Sequence, residues 1–282
     1  MELREHAGAE AFLDALRPVW APREAELNLI VGIACTIQGG WIPERGALMA
    51  TLEHEGRAIA AVLRTPPHGF IVAEGAPRAA TQLARVLARS DEQLDASAVI
   101  ATCPAAEEFA RAWADATGRA ASLTTPQRIY ALEAVIPPPP PPGRFRRATS
   151  TDADVIAPWF HAFALEAMPH EAGERDATIA LARARIERGI VYVWEQSDAP
   201  VSMAMLARPT PNGITITSVY TPPALRGNGF AAACVAALSQ EALDSGKRFS
   251  CLYTDAQNPT SNALYEHIGY RQVCNSELWS FG

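Results

Sequence analysis

Short runs of alternating apolar and polar residues recur along the chain, separated by turns that contain glycine or proline. Residues 190–195 and 201–206 alternate on either side of a polar turn, which predicts a β-hairpin. Two alanine-rich stretches, 154–167 and 176–188, precede this hairpin and are typical of helices. The pattern predicts an α/β fold with a mixed, mostly antiparallel central sheet flanked by helices.

The first half of the chain repeats this order of elements. Leu48–His54 and Arg57–Arg64 are predicted to form a hairpin around Glu55-Gly56. His68-Gly69 then turns into a short apolar strand, just as Asn212-Gly213 does in the second half. A later strand over 127–132 is expected to close the first half. The two halves therefore indicate a tandem duplication.

A run of six prolines, Pro137–Pro142, lies between the halves. Such a run favours a stiff polyproline II spacer without backbone donors, so it cannot be a core element. We therefore predict an N-terminal domain over 1–136, a linker over 137–143 and a C-terminal domain over 144–282.

Composition narrows the classes of protein to which the chain can belong. Apolar residues make up 49% and charged residues 20%, which is a globular mixture. A net charge of −7 argues against nucleic acid and anionic membrane surfaces as partners, and no apolar run is long enough to cross a membrane. The five scattered cysteines lack metal-binding spacing and are expected to be reduced core thiols in a cytoplasmic protein without a metal.

The most informative segment is 219–231, where an apolar strand is followed by Pro222-Pro223 and then by Arg226-Gly227-Asn228-Gly229 at the start of a helix. Backbone N–H groups at a helix start are unpaired, and the helix dipole adds positive potential there. Glycines let the backbone approach a ligand closely and adopt positive φ. The segment therefore predicts a cradle for a pyrophosphate group.

These residues resemble the GCN5-related N-acetyltransferase (GNAT) family. Its signature Arg/Gln-x-x-Gly-x-Gly/Ala is matched by Arg226, Gly229 and Ala231. The later segment 258–270, which contains Asn258, Leu-Tyr-Glu and a closing Gly-Tyr, resembles the second segment of the family that contacts coenzyme A (CoA). The resemblance covers about residues 144–282. It implies a catalytic C-terminal GNAT domain, preceded by a degenerate GNAT-like copy.

The resemblance also implies which residues bind the co-substrate acetyl-CoA. The strand before the loop pairs with the pantetheine arm of CoA in this family, the loop holds the phosphates, and asparagines of the next helix contact the arm or the phosphates. The residues expected to bind acetyl-CoA are Val219, Thr221, Arg226, Gly227, Asn228, Gly229, Phe230, Ala231, Asn258 and Asn262.

By resemblance, Tyr265 lies beside the thioester sulfur, where a phenol can donate a proton to the departing thiolate. The general base is less clear from the sequence. Glu166 is the preferred candidate, since a carboxylate could hold an ammonium group and then accept its proton. His161, His170, Glu171 and Asp255 are alternatives, as is a chain of water molecules.

The first half lacks the equivalent chemistry. Glu74-Gly75-Ala76-Pro77 occupies the place of the glycine loop, so a proline removes one donor and a carboxylate would repel phosphate. Alignment of Gly118 with Gly269 places Ala114 where Tyr265 stands. The first half is therefore expected not to bind CoA, and either to shape the acceptor site or only to stabilise the protein.

The function expected from these observations is transfer of an acetyl group from acetyl-CoA to a primary amine, by direct attack in a ternary complex. The amine could belong to a small molecule or a peptide, and the sequence does not indicate an oligomeric state. Alternatives are another acyl-CoA donor, a hydroxyl acceptor, or a CoA-binding sensor without catalytic activity. No Cys or Ser lies in a nucleophile motif, which disfavours a covalent acyl-enzyme.

Overall fold

The computed structural model describes residues 1–167 and 173–282. Within these ranges the order β-α-α-β-β-β-α-β-α-β occurs twice. The elements of the first repeat are β1 (Glu2–Glu5), α1 (Ala9–Trp20), α2 (Asn28–Gln38), β2 (Leu48–His54), β3 (Arg57–Arg64), β4 (Phe70–Glu74), α3 (Ala79–Leu87), β5 (Ala98–Thr102), α4 (Ala105–Thr117) and β6 (Ala121–Leu132). The elements of the second repeat are β7 (Arg144–Arg147), α5 (Ala153–Ala167), α6 (Arg175–Glu187), β8 (Val191–Gln196), β9 (Ala199–Ala207), β10 (Gly213–Tyr220), α7 (Phe230–Asp244), β11 (Phe249–Asp255), α8 (Pro259–His267) and β12 (Arg271–Phe281). The tandem arrangement and the mixed α/β class are confirmed.

All the strands belong to one sheet with the order β1-β2-β3-β4-β5-β12-β6-β11-β10-β9-β8-β7. The last strand of each repeat is therefore exchanged. Strand β6 pairs with β11 of the second repeat, β12 pairs with β5 of the first, and β6 and β12 pair antiparallel along the middle of the sheet. The strand predicted over 127–132 is β6, the last element of the first repeat, which begins earlier, at Ala121, and pairs with β11 and β12.

Local sequence accounts for many boundaries of the elements. The turn Glu55-Gly56 has positive φ at both residues, as a tight hairpin requires. Thr149 and Asp152 form a reciprocal capping box before α5. The polyproline run forms no helix or strand, and the carbonyl of Pro142 accepts a hydrogen bond from the Trp194 indole at 3.2 Å. The assignment of this run as a linker between two domains stays a prediction.

Helices cover both faces of the sheet in the second repeat. Helices α7 and α8 pack on one face, in a cluster that contains Phe230, Leu252 and Tyr265. Helices α5 and α6 pack on the other face, against the alternate residues of the same strands, such as Val193 and Met205. The gap between β10 and β11, which is described below, can therefore be reached from both faces of the sheet.

The first repeat is attached to the second near the start of β10. The buried carboxylate of Glu24 accepts hydrogen bonds from the Thr210 hydroxyl at 2.5 Å, and from the Asn212 backbone and side-chain amides at 2.7 and 2.6 Å. Asn28 of α2, which is fully buried, accepts a hydrogen bond from the Thr215 hydroxyl at 3.4 Å. Helix α2 thus packs against the strand that leads to the glycine loop.

None of the cysteines forms a disulfide among the described residues, but the expectation of buried core thiols is only partly correct. Cys234 and Cys251 are buried, whereas Cys103 is exposed. No described helix combines the length and apolar character that crossing a bilayer requires.

Candidate active site

Strands β10 and β11 separate within the sheet. They pair in parallel only over Gly213–Thr215, opposite Phe249–Cys251. On its other edge β10 follows β9, but the register shifts between Thr217 and Tyr220, and Ser218 has a φ of +53°. This bulge bends β10 away from β11. Beyond Thr215, the edge of β10 that faces β11 therefore has no strand partner in the described part of the chain.

The glycine loop lies directly after this open edge and before α7. Gly227 and Gly229 have φ values of +81° and +79°, so both occupy the left-handed region that favours glycine. The backbone N–H groups of residues 227–232 have no acceptor among residues 1–167 and 173–282. A Cβ atom built at either glycine would meet no atom within 4 Å. The helix start thus presents unpaired donors to open space, which is the geometry an anion-binding cradle requires.

Arg226 borders this cradle and is held in place by three neighbouring residues. Its Nε donates to the carbonyl of Thr221 at 2.9 Å, and its guanidinium lies over the Tyr220 ring at 5.7 Å. Its Nη2 contacts both carboxylate oxygens of Glu166, at 3.0 and 2.7 Å. Arg226 therefore fastens the loop to the end of β10, and its half-exposed guanidinium borders the cradle.

The structure places Glu166 against Arg226, and its role as the general base stays a prediction. Both of its carboxylate oxygens are hydrogen-bonded to Arg226, so an ammonium group of the acceptor would compete with this guanidinium for the same oxygens. Among the alternatives, His170 and Glu171 lie outside the described residues. Asp255 is exposed and accepts a hydrogen bond from the Gln257 backbone at 2.8 Å, and His161 has a buried Nδ1 without a described partner. The assignment of the general base stays a prediction.

The remaining predicted contacts fall into two groups. Val219 packs beside the cluster of α7 and α8, next to the open edge of β10. Thr221 is buried, and its hydroxyl donates to the Ser202 hydroxyl at 2.9 Å. Phe230 and Ala231 form the first turn of α7, with Phe230 buried in the core. Val219 and Phe230 therefore border the predicted path of the arm, while Thr221 fixes the loop.

The two asparagines of α8 stabilise local structure. Asn258 caps the helix, accepting a hydrogen bond from the Ser261 N–H at 3.1 Å, and Pro259 is the first helical residue, as expected from the sequence. The amide of Asn262 is buried; it accepts from the Thr254 hydroxyl at 2.6 Å and donates to the carbonyls of Asp255 and Ala256 at 3.3 Å. Asn262 thus has little free capacity for a direct contact with CoA.

Tyr265 is 8% exposed and packs in the same cluster as Phe230 and Leu252, beside the open edge of β10. Its ring meets the Tyr270 ring edge-on at 5.9 Å. Its hydroxyl has no hydrogen-bond partner among the described residues. Burial raises the pKa of the Tyr265 phenol above its usual value, so the group holds its proton at neutral pH.

In the first repeat, a carboxylate of the protein lies at the helix start that corresponds to the cradle of the second repeat. The Glu74 carboxylate accepts a hydrogen bond from the Ala80 N–H at 3.0 Å, in the first turn of α3. A Cβ at Gly75 would lie 2.6 Å from a methyl group of Val19, so α1 packs directly against this loop. A carboxylate of the protein itself therefore occupies the helix start, which agrees with the prediction that this half does not bind CoA.

Residues 156–270 match the model of the acetyltransferase (GNAT) family. Among solved structures, a Drosophila protein superposes with a TM-score of 0.73 at 14% identity, covering 99% of this chain and 98% of its own. A GCN5-related N-acetyltransferase from Sphaerobacter thermophilus gives 0.61 at 17%, covering 99% and 94%. A tandem GNAT protein from the clavulanic acid biosynthesis pathway gives 0.57 at 13%, covering 100% and 98%. These superpositions show a shared fold across both halves of the chain. No curated protein matches the chain.

Proposed function

Because residues 156–270 are a domain of the GNAT acetyltransferase family, we propose that the protein transfers an acetyl group from acetyl-CoA to a primary amine. The observation that carries this proposal is the cradle of unpaired N–H groups over residues 227–232, directly beside the open edge of β10. Both features are needed for a CoA thioester, since the pyrophosphate requires donors and the pantetheine arm requires a free strand edge.

The described residues fit acetyl-CoA. The N–H groups at the start of α7 would bind the pyrophosphate, assisted by the helix dipole. The unpaired edge of β10 beyond Thr215 would hydrogen-bond the amides of the pantetheine arm, much as a neighbouring strand would. Acetyl-CoA then supplies the activated acetyl group. A free N–H on the same edge can stabilise the negative charge that develops on the carbonyl oxygen.

Transfer forms a bond between the amine nitrogen and the acetyl carbon and breaks the bond between that carbon and sulfur. The electron pair of the broken bond leaves on the sulfur of CoA. In this proposal the phenol of Tyr265 gives its proton to this sulfur, the nitrogen loses its surplus proton to solvent, and the phenolate takes a proton back from solvent. The raised pKa of Tyr265 keeps the donor protonated until negative charge develops on the sulfur.

Direct attack in a ternary complex is the form of the reaction that these residues support best. Cys234 and Cys251 are buried, and burial raises the pKa of each thiol, to about 12 for Cys234 and about 11 for Cys251. A nucleophilic cysteine requires a thiolate, which a high pKa disfavours at neutral pH. The amine itself is therefore the expected nucleophile.

Calorimetric titration with acetyl-CoA, combined with a thiol-release assay on a panel of amines, tests the proposal. We expect one site per chain, lost in the double variant Arg226→Glu/Gly229→Pro, and thiol release that depends on an amine. Binding without release for any amine or alcohol would favour a CoA-binding sensor. Two sites per chain would show that the first repeat also binds CoA.

A further inference from the structure

On the side of the gap opposite Tyr265, an arginine is held in a strained position. Arg208 follows β9 and has a φ of +46°, a conformation that costs a non-glycine residue about 1 kcal/mol or more. Helix α2 of the first repeat approaches it closely, because a Cβ at Gly32 would lie 2.7 Å from the carbonyl oxygen of Arg208. The positive φ of Arg208 therefore costs conformational free energy, and Gly32 of the first repeat leaves the space that the Arg208 backbone occupies.

Arg208 is half-buried, and its guanidinium has no hydrogen-bond partner among residues 1–167 and 173–282. Its Nε is buried and has no acceptor, and no carboxylate among residues 1–167 and 173–282 forms an ion pair with it. Burial lowers the pKa of Arg208, and burial also lowers the pKa of Arg185, with smaller contributions from the positive charges of Arg188 and Arg208. The Glu24 carboxylate already accepts three hydrogen bonds from Thr210 and Asn212. A half-buried guanidinium whose buried Nε lacks an acceptor is available to bind an anion.

The first repeat supplies an internal comparison. Arg64-Thr65-Pro66-Pro67-His68-Gly69 has the same spacing from arginine to glycine as Arg208-Pro209-Thr210-Pro211-Asn212-Gly213. Arg64 is fully buried, and it donates to the His68 carbonyl and the Gln93 amide oxygen at 3.1 Å and forms an ion pair with Asp95 at 2.7 Å. Arg64 is not among the residues with positive φ. Its counterpart Arg208 is turned by its left-handed backbone and lacks such a set of partners.

The position of Arg208 relates it to the reaction. Its charge acts on Cys251 and Tyr253, which lie on the face of β11 opposite Leu252 and Tyr265. Cys251 is opposite Thr215, the last residue of β10 that pairs with β11, so Tyr253 lies where the gap opens. An acceptor that approaches from the side of α2, α5 and α6 would therefore meet Arg208 while its amine faces the gap.

We infer that the acceptor is an amine that also carries a carboxylate, which Arg208 binds between the two repeats. The inference rests on the proposed function and specifies its substrate class. It gives the first repeat a part in the site, because Gly32 makes the room that Arg208 occupies and Asn28 lies against Tyr253. An arginine is well suited to this task, since its planar fork can bind both oxygens of a carboxylate.

The test compares amino acids with matched amines that lack the carboxylate, for example lysine with cadaverine, in the thiol-release assay. We expect the acids to have a kcat/KM higher by about 10- to 100-fold, as one or two hydrogen bonds to a charged group provide. Arg208→Gln should remove this preference and leave the KM for acetyl-CoA unchanged. The control Arg183→Gln, an exposed arginine of α6, should retain the preference.

Two further measurements keep the inference separate from the proposed function. Propionate should bind the wild-type protein in calorimetry at millimolar concentrations and fail to bind Arg208→Gln, whether or not any amine is acetylated. The Tm of Arg208→Gln should be equal to or above that of the wild type, because a charged group whose buried Nε lacks an acceptor is removed. Equal turnover of acids and matched amines, no propionate binding, or a lowered Tm would each overturn the inference, whereas propionate binding without acetylation would overturn only the proposed function.

Discussion

Alanine substitutions at Gly229 and at Gly246, when compared, separate the effect of backbone strain from the effect of losing a ligand site. Gly229 precedes α7 with a φ of +79°, and Gly246 follows the same helix with a φ of +95°. A Cβ at either position meets no atom within 4 Å. The two substitutions therefore impose similar strain at the two ends of one helix, but only Gly229 borders the cradle. Gly246→Ala is the matched control.

The expected magnitudes follow from this geometry. Alanine at positive φ destabilises by about 1–2 kcal/mol, so each variant should lose about 2–8 °C in Tm. The methyl group of Gly229→Ala also projects into the open space before the unpaired N–H groups. The loss of one hydrogen bond to a charged phosphate costs about 1.5–3 kcal/mol, which raises the Kd for acetyl-CoA by about 10- to 150-fold. Gly246→Ala should leave the Kd within about twofold of the wild-type value.

Calorimetric titration with acetyl-CoA and with desulfo-CoA, together with thermal melts, provides the required values. Both ligands carry the pyrophosphate, so both should weaken equally with Gly229→Ala. If Gly229→Ala binds acetyl-CoA as tightly as Gly246→Ala does, the donors at the start of α7 do not hold the pyrophosphate. The assignment of the cradle would then be wrong.

Three further predictions concern the phenol, the contact between the repeats, and pH. Tyr265→Phe should lower kcat by about 10²-fold or more, since a proton donor is lost, while calorimetry shows a nearly unchanged Kd for acetyl-CoA. Glu24→Ala leaves the donors of Thr210 and Asn212 without their acceptor and should reduce the free energy of unfolding in urea by about 3 kcal/mol. Asp152→Asn should cost about 2–3 kcal/mol at neutral pH and less in acid, because the Arg146 guanidinium holds the pKa of the Asp152 carboxyl below its usual value.

Each of these predictions has its own control or contradicting result. Equal losses in kcat and acetyl-CoA affinity for Tyr265→Phe would mean that the tyrosine is structural. Glu26→Ala removes only an ion pair with Arg23 and should change stability by less than about 1 kcal/mol. For Asp152, the contribution is present above a pH of about 4 and is lost as the pH falls through the lowered pKa. A cost of Asp152→Asn that does not decrease in acid would exclude this linkage.

Features set by neighbouring residues were predictable from the sequence. The bounds of β2 and β3 were predicted correctly, because Glu55-Gly56 specifies the turn between them. The cap at Asn258 likewise depends on residues within one turn of helix. The glycines before α7 could be identified for the same reason, since a left-handed residue at a helix start has few alternatives to glycine.

Features that depend on distant residues were not predictable in this way. The pairing of Glu166 with Arg226 joins residues 60 positions apart, and only the packing of α5 brings them together. Arg208 follows an ordinary strand, and no residue near it in the sequence predicts its left-handed backbone. The exchange of β6 and β12 leaves the alternation within each strand unchanged, because period-two patterning reports which face is buried and not which strand is adjacent.

The exchange of strands has a consequence for synthesis of the protein on the ribosome. When the polyproline run emerges, the first repeat still lacks the neighbour of β5, because that neighbour is β12 at residues 271–281. The nascent first half therefore exposes the edges of β5 and β6 until nearly the whole second half has been translated. Such open edges are liable to pair with other chains. Strand β12 completes both repeats at once when it leaves the ribosome, so formation of the native sheet is expected to wait for this strand.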